Sequence, residues 1–259
     1  MAKTKPGRAT AMLAGLFAAG FAATLFAYVD VEWTHWLIVK DSASKNGSKS
    51  ANVDPQQLQK LRQSILNVRA ECAGQPGHSG TAFVVKPGYV ATAAHIFGEG
   101  QQPCAGPIRL VDYKGLEHAA TLQGVSADDD LALLKLDDAT LPALRLANAS
   151  NYESPDAVVR LVTIGYPLIQ EGASARDSAS ISGEGSLSRF MRDRNVFVTS
   201  GLNLNPGNSG GPIFIRDDWT VLGIARAKLP NTIGDGIGFV ASIRSFENFF
   251  REKTGQELR

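Results

Sequence analysis

The chain has 259 residues, enough for one sizeable domain with appendages or for two small ones. Its 26 Lys+Arg against 25 Asp+Glu leave a formal net charge of +1, and no long basic run lies beyond the extreme N-terminus, which argues against a nucleic-acid partner. Hydrophobic residues at 44% and 26 glycines suit an all-β protein with many tight turns, and two cysteines permit at most one intrachain disulfide.

Lys3, Lys5 and Arg8 precede an uncharged apolar stretch from Ala9 to Val29, about 21 residues long. A helix of that length spans the hydrocarbon core of a bilayer. Positive charge before it, and Asp30 and Glu32 after it, predict a cytoplasmic N-terminus at 1–8, a transmembrane anchor at 9–29 and the remainder outside. Trp33 and Trp36 suit the membrane–water interface. The alternative is a cleaved signal peptide, whose apolar region is normally shorter and is followed by a small-residue cleavage site. Residues 30–65 read as a linker with a short helix. Small polar residues fill 41–53. Asp54 is an N-cap candidate, Pro55 suits the first turn, and Leu58, Leu61, Ile65 and Val68 follow at helical spacing.

The period then changes to that of β structure, and residues 66–255 are predicted to form one folded domain. Short apolar runs recur at 81–85, 89–92, 108–113, 131–136, 158–164, 196–199, 212–215, 221–225 and 237–241, with Lys86-Pro87-Gly88 as a clear turn. Only the end looks helical, with Ser242 as cap and Phe246, Phe249 and Phe250 on one face. Many short strands without intervening helices predict barrels or a sandwich, between which periodicity does not choose.

Gly207-Asn208-Ser209-Gly210-Gly211-Pro212 has what an acyl-transfer nucleophile needs. A serine hydroxyl must stand on a tight turn, with backbone N–H groups free to meet an oxyanion. A base must accompany it. His95 follows the run Tyr89–Thr92, so it projects from a strand end, whereas His35, His78 and His118 follow no strand in this pattern. An orienting carboxylate completes the set. Of Asp128, Asp129 and Asp130, the last touches the apolar strand Leu131–Leu136 and is the one expected to be buried. The histidines lack metal-ligand spacing such as His-Glu-x-x-His, and no cofactor or metal is expected.

Thr92-Ala93-Ala94-His95, Asp130-Leu131-Ala132-Leu133-Leu134-Lys135 and Gly207–Pro212, in the order His, Asp, Ser, resemble the chymotrypsin-like serine proteases. The likeness is greatest to the bacterial HtrA/DegP group. Ser79–Val85, Ile164-Gly165-Tyr166-Pro167, Asn205-Pro206 and Gly236–Val240 add to it. The resemblance implies two six-stranded β-barrels with a C-terminal helix, after the N-terminal transmembrane helix, and a serine endopeptidase acting on extracytoplasmic proteins or peptides through an acyl-enzyme. Ser209, His95 and Asp130 would be the triad, and the N–H groups of Gly207 and Ser209 the oxyanion hole. Asn203, Arg226, Lys228 and Gly238 would line the substrate pocket. The alternative is an inactive protease-fold module that binds or scaffolds at the membrane.

Three features depart from the family. No Ile-Val-Gly-Gly activation site is present, and no C-terminal peptide-binding PDZ domain is expected in the space after Ser209. Asn203 stands where trypsin-like enzymes carry an acid, which argues against cleavage after Lys or Arg. Arg226 stands where the family carries a small residue, close to the triad aspartate. It is expected either to pair with an acid of Asp128–Asp130 or to bias the pocket toward acidic side chains, the alternative being that Arg226 and Lys228 are simply solvated. Cys72 and Cys104 bracket His95 and would pair outside the cytoplasm, or else remain buried thiols. The oligomeric state is left open.

Overall fold

The computed structural model describes residues 54–71, 78–98, 106–167, 179–202, 204–228 and 236–259. The expected anchor at 9–29, Cys72, Cys104 and Asn203 lie outside the described residues. Among the described residues no helix is long and apolar enough to cross a membrane.

Helix α1 (Pro55–Arg62) is shorter than its spacing predicts. Ile65 and Val68, expected on its apolar face, open strand β1 (Ile65–Ala70) instead. The reason is pairing on both edges. β1 is antiparallel to β2 (His78–Lys86) on one side and to β4 (Ile108–Val111) on the other, and that double ladder outweighs a short helix in isolation. The spacing of Ile65 and Val68 fits a helix by coincidence. In the strand, Leu66 and Val68 face the interior of the first barrel while Ile65 joins the other cluster.

Strands β3 (Tyr89–Thr92), β5 (Glu117–Ser126) and β6 (Leu131–Leu136) complete a closed barrel in the order β1-β2-β3-β6-β5-β4. A second closed barrel runs β10-β11-β12-β9-β8-β7. It is built from β7 (Arg160–Gly165), β8 (Ser180–Met191), β9 (Val196–Ser200), β10 (Pro212–Ile215), β11 (Val221–Lys228) and β12 (Ile237–Ser242). Neighbouring strands in both barrels are antiparallel. The barrels expected from the resemblance are therefore present.

The unbroken apolar run of β6 has a structural cause. Ala132, Leu134 and Leu136 fill the first barrel, while Leu131 and Leu133 join the larger cluster that holds Phe214, Phe246 and Phe250. A strand buried on both faces loses its polar alternation. Helix α2 (Ile243–Thr254) lays Phe246, Phe249 and Phe250 into that same cluster, and Phe250 meets Tyr89 edge to face with ring centroids 5.0 Å apart. Leu258, beyond the helix, is buried there too.

Candidate active site

His95 is delivered by the end of β3. The chain leaves Thr92, passes Ala93 and forms a 3₁₀ turn over Ala94–Phe97. Ile96 and Phe97 are buried in the first barrel and pin that turn, leaving the His95 side chain 41% exposed. Its backbone N–H donates to Asp130 Oδ1 at 3.0 Å. Its Nδ1 lies 2.9 Å from Asp130 Oδ2 and 3.0 Å from Oδ1. A carboxylate only accepts, so the imidazole proton sits on Nδ1 and Nε2 is left as the basic lone pair.

Asp130 ends the turn that closes with its N–H donating to Ala127 O at 3.2 Å. Its φ is +54°, a left-handed conformation that aspartate tolerates better than most residues. That conformation, one residue before β6, turns the carboxylate onto His95. Asp128 is exposed, whereas Asp129 and Asp130 are both half-buried rather than buried, and it is Asp130 whose carboxylate lies at hydrogen-bond distance from His95.

Ser209 stands on a loop held by the first barrel. Asn205 to Asn208 form a turn closed by Asn208 N–H donating to Asn205 O at 3.0 Å. Pro206 occupies its second position, and Gly207, with φ +92°, its third, the pattern of a type II turn. Among the described residues, the N–H groups of Gly207 and Ser209 have no hydrogen-bond partner. Thr81 in β2 ties the loop down. Its N–H donates to Ser209 O at 2.8 Å, its Oγ1 donates to Gly207 O at 2.6 Å, and that oxygen accepts from Tyr166 N–H at 2.9 Å. Thr92 Oγ1 in turn donates to Thr81 O at 2.8 Å. Gly210 has φ +80°, and a Cβ there would lie 2.1 Å from Thr92 Oγ1 and 2.4 Å from Thr81 O, so only glycine fits. The second barrel contributes the opposite anchor, as Gly210 N–H donates to Ala225 O at 2.8 Å.

The structure thus joins His95 to Asp130 directly, and brings Ser209 against the strands that lead to His95. Among the described residues no hydrogen bond links Ser209 Oγ to His95. Beside the pair lies a cleft of about 770 Å³ lined by His95, Asp128, Asp129, Asp130, Asp193, Arg194, Arg226 and Phe239 among others.

The expected pocket residues fall in different places. Arg226 enters this cleft from β11, with Nη2 donating to Asp128 O at 3.0 Å and Nε 3.9 Å from Asp130 Oδ2. Gly238 in β12 is buried, where a Cβ would press within 2.8 Å of Thr199 Oγ1. Lys228 is described in its backbone only, opposite Gly238. Sequence reasoning missed the tethering role of Thr81 and Tyr166. Both stand inside segments that carry the family resemblance, but nothing in sequence spacing reveals that a threonine hydroxyl bridges two barrels. His118 in β5 also meets carboxylates, Asp112 in the β4–β5 turn at 3.4 Å and Asp138 just past β6 at 3.8 Å.

Comparison with known proteins agrees with the two-barrel fold. The trypsin-like peptidase domain family matches residues 80–224, a span that includes His95, Asp130 and Ser209. A probable periplasmic serine endoprotease DegP-like from Chlamydia pneumoniae is 31% identical over 163 residues, covering 62% of this chain and 31% of that protein. A DegP-like relative in Halomonas elongata is 33% identical over 161 residues, covering 58% of this chain and 31% of its own. The chain thus spans about a third of the length of these relatives. Among solved structures, the serine endoprotease from Yersinia pestis superposes with a TM-score of 0.60 at 19% identity, covering 77% of this chain and 65% of the other. The HtrA-type protease AlgW with tripeptide gives 0.60 at 22%, covering 77% and 63%. At those identities the likeness shows the shared fold.

Proposed function

The chain belongs to the trypsin-like peptidase domain family, and from that premise we propose that it is a serine endopeptidase. The observation that carries the reading is the short contact from His95 Nδ1 to Asp130, which leaves Nε2 as the lone pair that can act as a base. Ser209 attacks the scissile carbonyl as His95 Nε2 takes its proton. Asp130 holds the tautomer and stabilises the imidazolium. The N–H groups of Gly207 and Ser209 receive the oxyanion, whose collapse breaks the C–N bond as His95 passes its proton to the leaving amine, and the acyl-enzyme is then hydrolysed by water that the neutral His95 activates. Protein or peptide substrates follow from that chemistry. Two periplasmic relatives and the charge asymmetry around 9–29 support an extracytoplasmic site of action, with Ala9–Val29 as a single-pass anchor and residues 1–8 in the cytoplasm.

A fluorophosphonate probe tests this on the full-length chain. Labelling of the wild type that disappears in Ser209→Ala, with both proteins folded by circular dichroism, is the expected result. A folded wild type that takes up no probe across pH 6–9 would favour a binding module with a dormant protease fold.

A further inference from the structure

Arg226 reaches from one barrel to the acid that orients the histidine on the other. Its Nη2 donates to the carbonyl of Asp128 at 3.0 Å, and its Nε lies 3.9 Å from Asp130 Oδ2, the oxygen that also receives His95 Nδ1–H at 2.9 Å. The Arg226 side chain is 22% exposed and that of Asp130 15%, so solvent screens this pair less than a surface pair. One edge of the guanidinium is hydrogen-bonded to the turn at 127–130, and Nε faces the carboxylate of the same turn at ion-pair distance.

The charges facing His95 are unequal. Asp128, Asp129 and Asp130 come from the turn before β6, Asp193 and Arg194 from the β8–β9 hairpin, and Arg226 from β11. Asp193 and Arg194 pair with each other at 3.8 Å. Arg226 is therefore the cation set against the aspartates of the turn. Carboxylates around an imidazole favour its protonated form, and a cation on the same carboxylate offsets them.

We infer that Arg226 is a positioning residue that braces the Asp128–Asp130 turn across the two barrels and sets a positive charge against the carboxylate that holds His95. This rests on the triad reading above and adds to it a role for a residue on β11.

The rate of fluorophosphonate labelling of the full-length chain, followed from pH 5 to 9, needs no knowledge of the natural substrate. In Arg226→Gln the acid limb is expected to move up by about half to one pH unit. In Arg226→Lys, which keeps the charge but loses the planar fork, the limb stays near the wild-type position while the plateau rate falls. Arg226→Met, which keeps the aliphatic stem packed, replaces Gln should that variant fail to fold. A wild type labelled at Ser209 with an unmoved limb in Arg226→Gln and Arg226→Met overturns the inference and leaves the functional reading intact. So does an unmoved limb accompanied by a changed preference for acidic side chains in a peptide library, which makes Arg226 a substrate contact. An unlabelled wild type fails the functional reading itself.

Discussion

Every polar group of Thr81 is taken up near the nucleophile. Its N–H serves Ser209 O, its carbonyl receives Thr92 Oγ1, and its hydroxyl links Gly207 O to Tyr166 N–H. All of this lies in a residue with no exposed surface. Valine has the same shape but no hydroxyl. Thr81→Val would strand a carbonyl and an amide that stay buried, at about 1–3 kcal/mol each. A loss of about 2–4 kcal/mol in urea unfolding is therefore expected, together with about 10²-fold slower probe labelling of Ser209 as the loop loosens. Thr81→Ser keeps the oxygen and should retain most of both. Equal stability of wild type and Thr81→Val would show that the hydroxyl is not what holds the loop.

Helix α2 is the element whose ends are most fully specified by local chemistry. The Ser242 hydroxyl accepts from Arg244 N–H at 3.3 Å, and Gly255, with φ +68°, closes the other end by donating to Arg251 O at 2.8 Å. Ser242→Ala should cost about 1 kcal/mol in unfolding free energy, and Ser242→Thr, whose hydroxyl can also cap, should restore most of it. No effect in Ser242→Ala would mean that burial of Phe246 and Phe250 alone sets the helix start. This helix was readable in the sequence because cap and periodic phenylalanines are local signals. Strands with buried runs, such as Leu131–Leu136 and Pro212–Ile215, were readable for the same reason. Strands β5 and β8 were not. β5 is largely half-exposed, and its Thr, Gln, Gly and Ser make no apolar run. β8 carries four serines and two glycines, and is held by pairing to β7 and β9 over its length. The site divides likewise. His95, Asp130 and Ser209 stand out because chemistry demands their residue types, whereas the tether from Thr81 exists only once β2 and the serine loop meet.

At the scale of the whole described domain, the barrels are joined by polar links as well as by a shared apolar cluster. Tyr166, just past β7 of the second barrel, donates its phenol to the carbonyl of Ile65 at the start of β1, at 3.3 Å. It is 2% exposed. Burial, with the Asp112 charge second, pushes its pKa up to about 12 from the ordinary 10. The folded state therefore holds this proton more tightly than the unfolded chain does. That stability is complete below about pH 10 and is lost as pH rises from about 10 to about 12. A shift of two units corresponds to about 2–3 kcal/mol. Tyr166→Phe cannot ionise. At pH 7 it should be less stable than wild type by about 1 kcal/mol, the value of the lost hydrogen bond. As pH climbs past 10, wild type alone pays for exposing the phenol to ionisation, so the gap closes and then reverses. Urea midpoints of the two proteins at pH 7, 9, 10.5 and 11.5 read this directly. A gap that stays constant across that range would mean that the Tyr166 proton is not differentially held. Because the phenol spans two barrels, a reversal carried by one cooperative transition further implies that they unfold together. Separate transitions would confine the effect to the loosening of one barrel from the other.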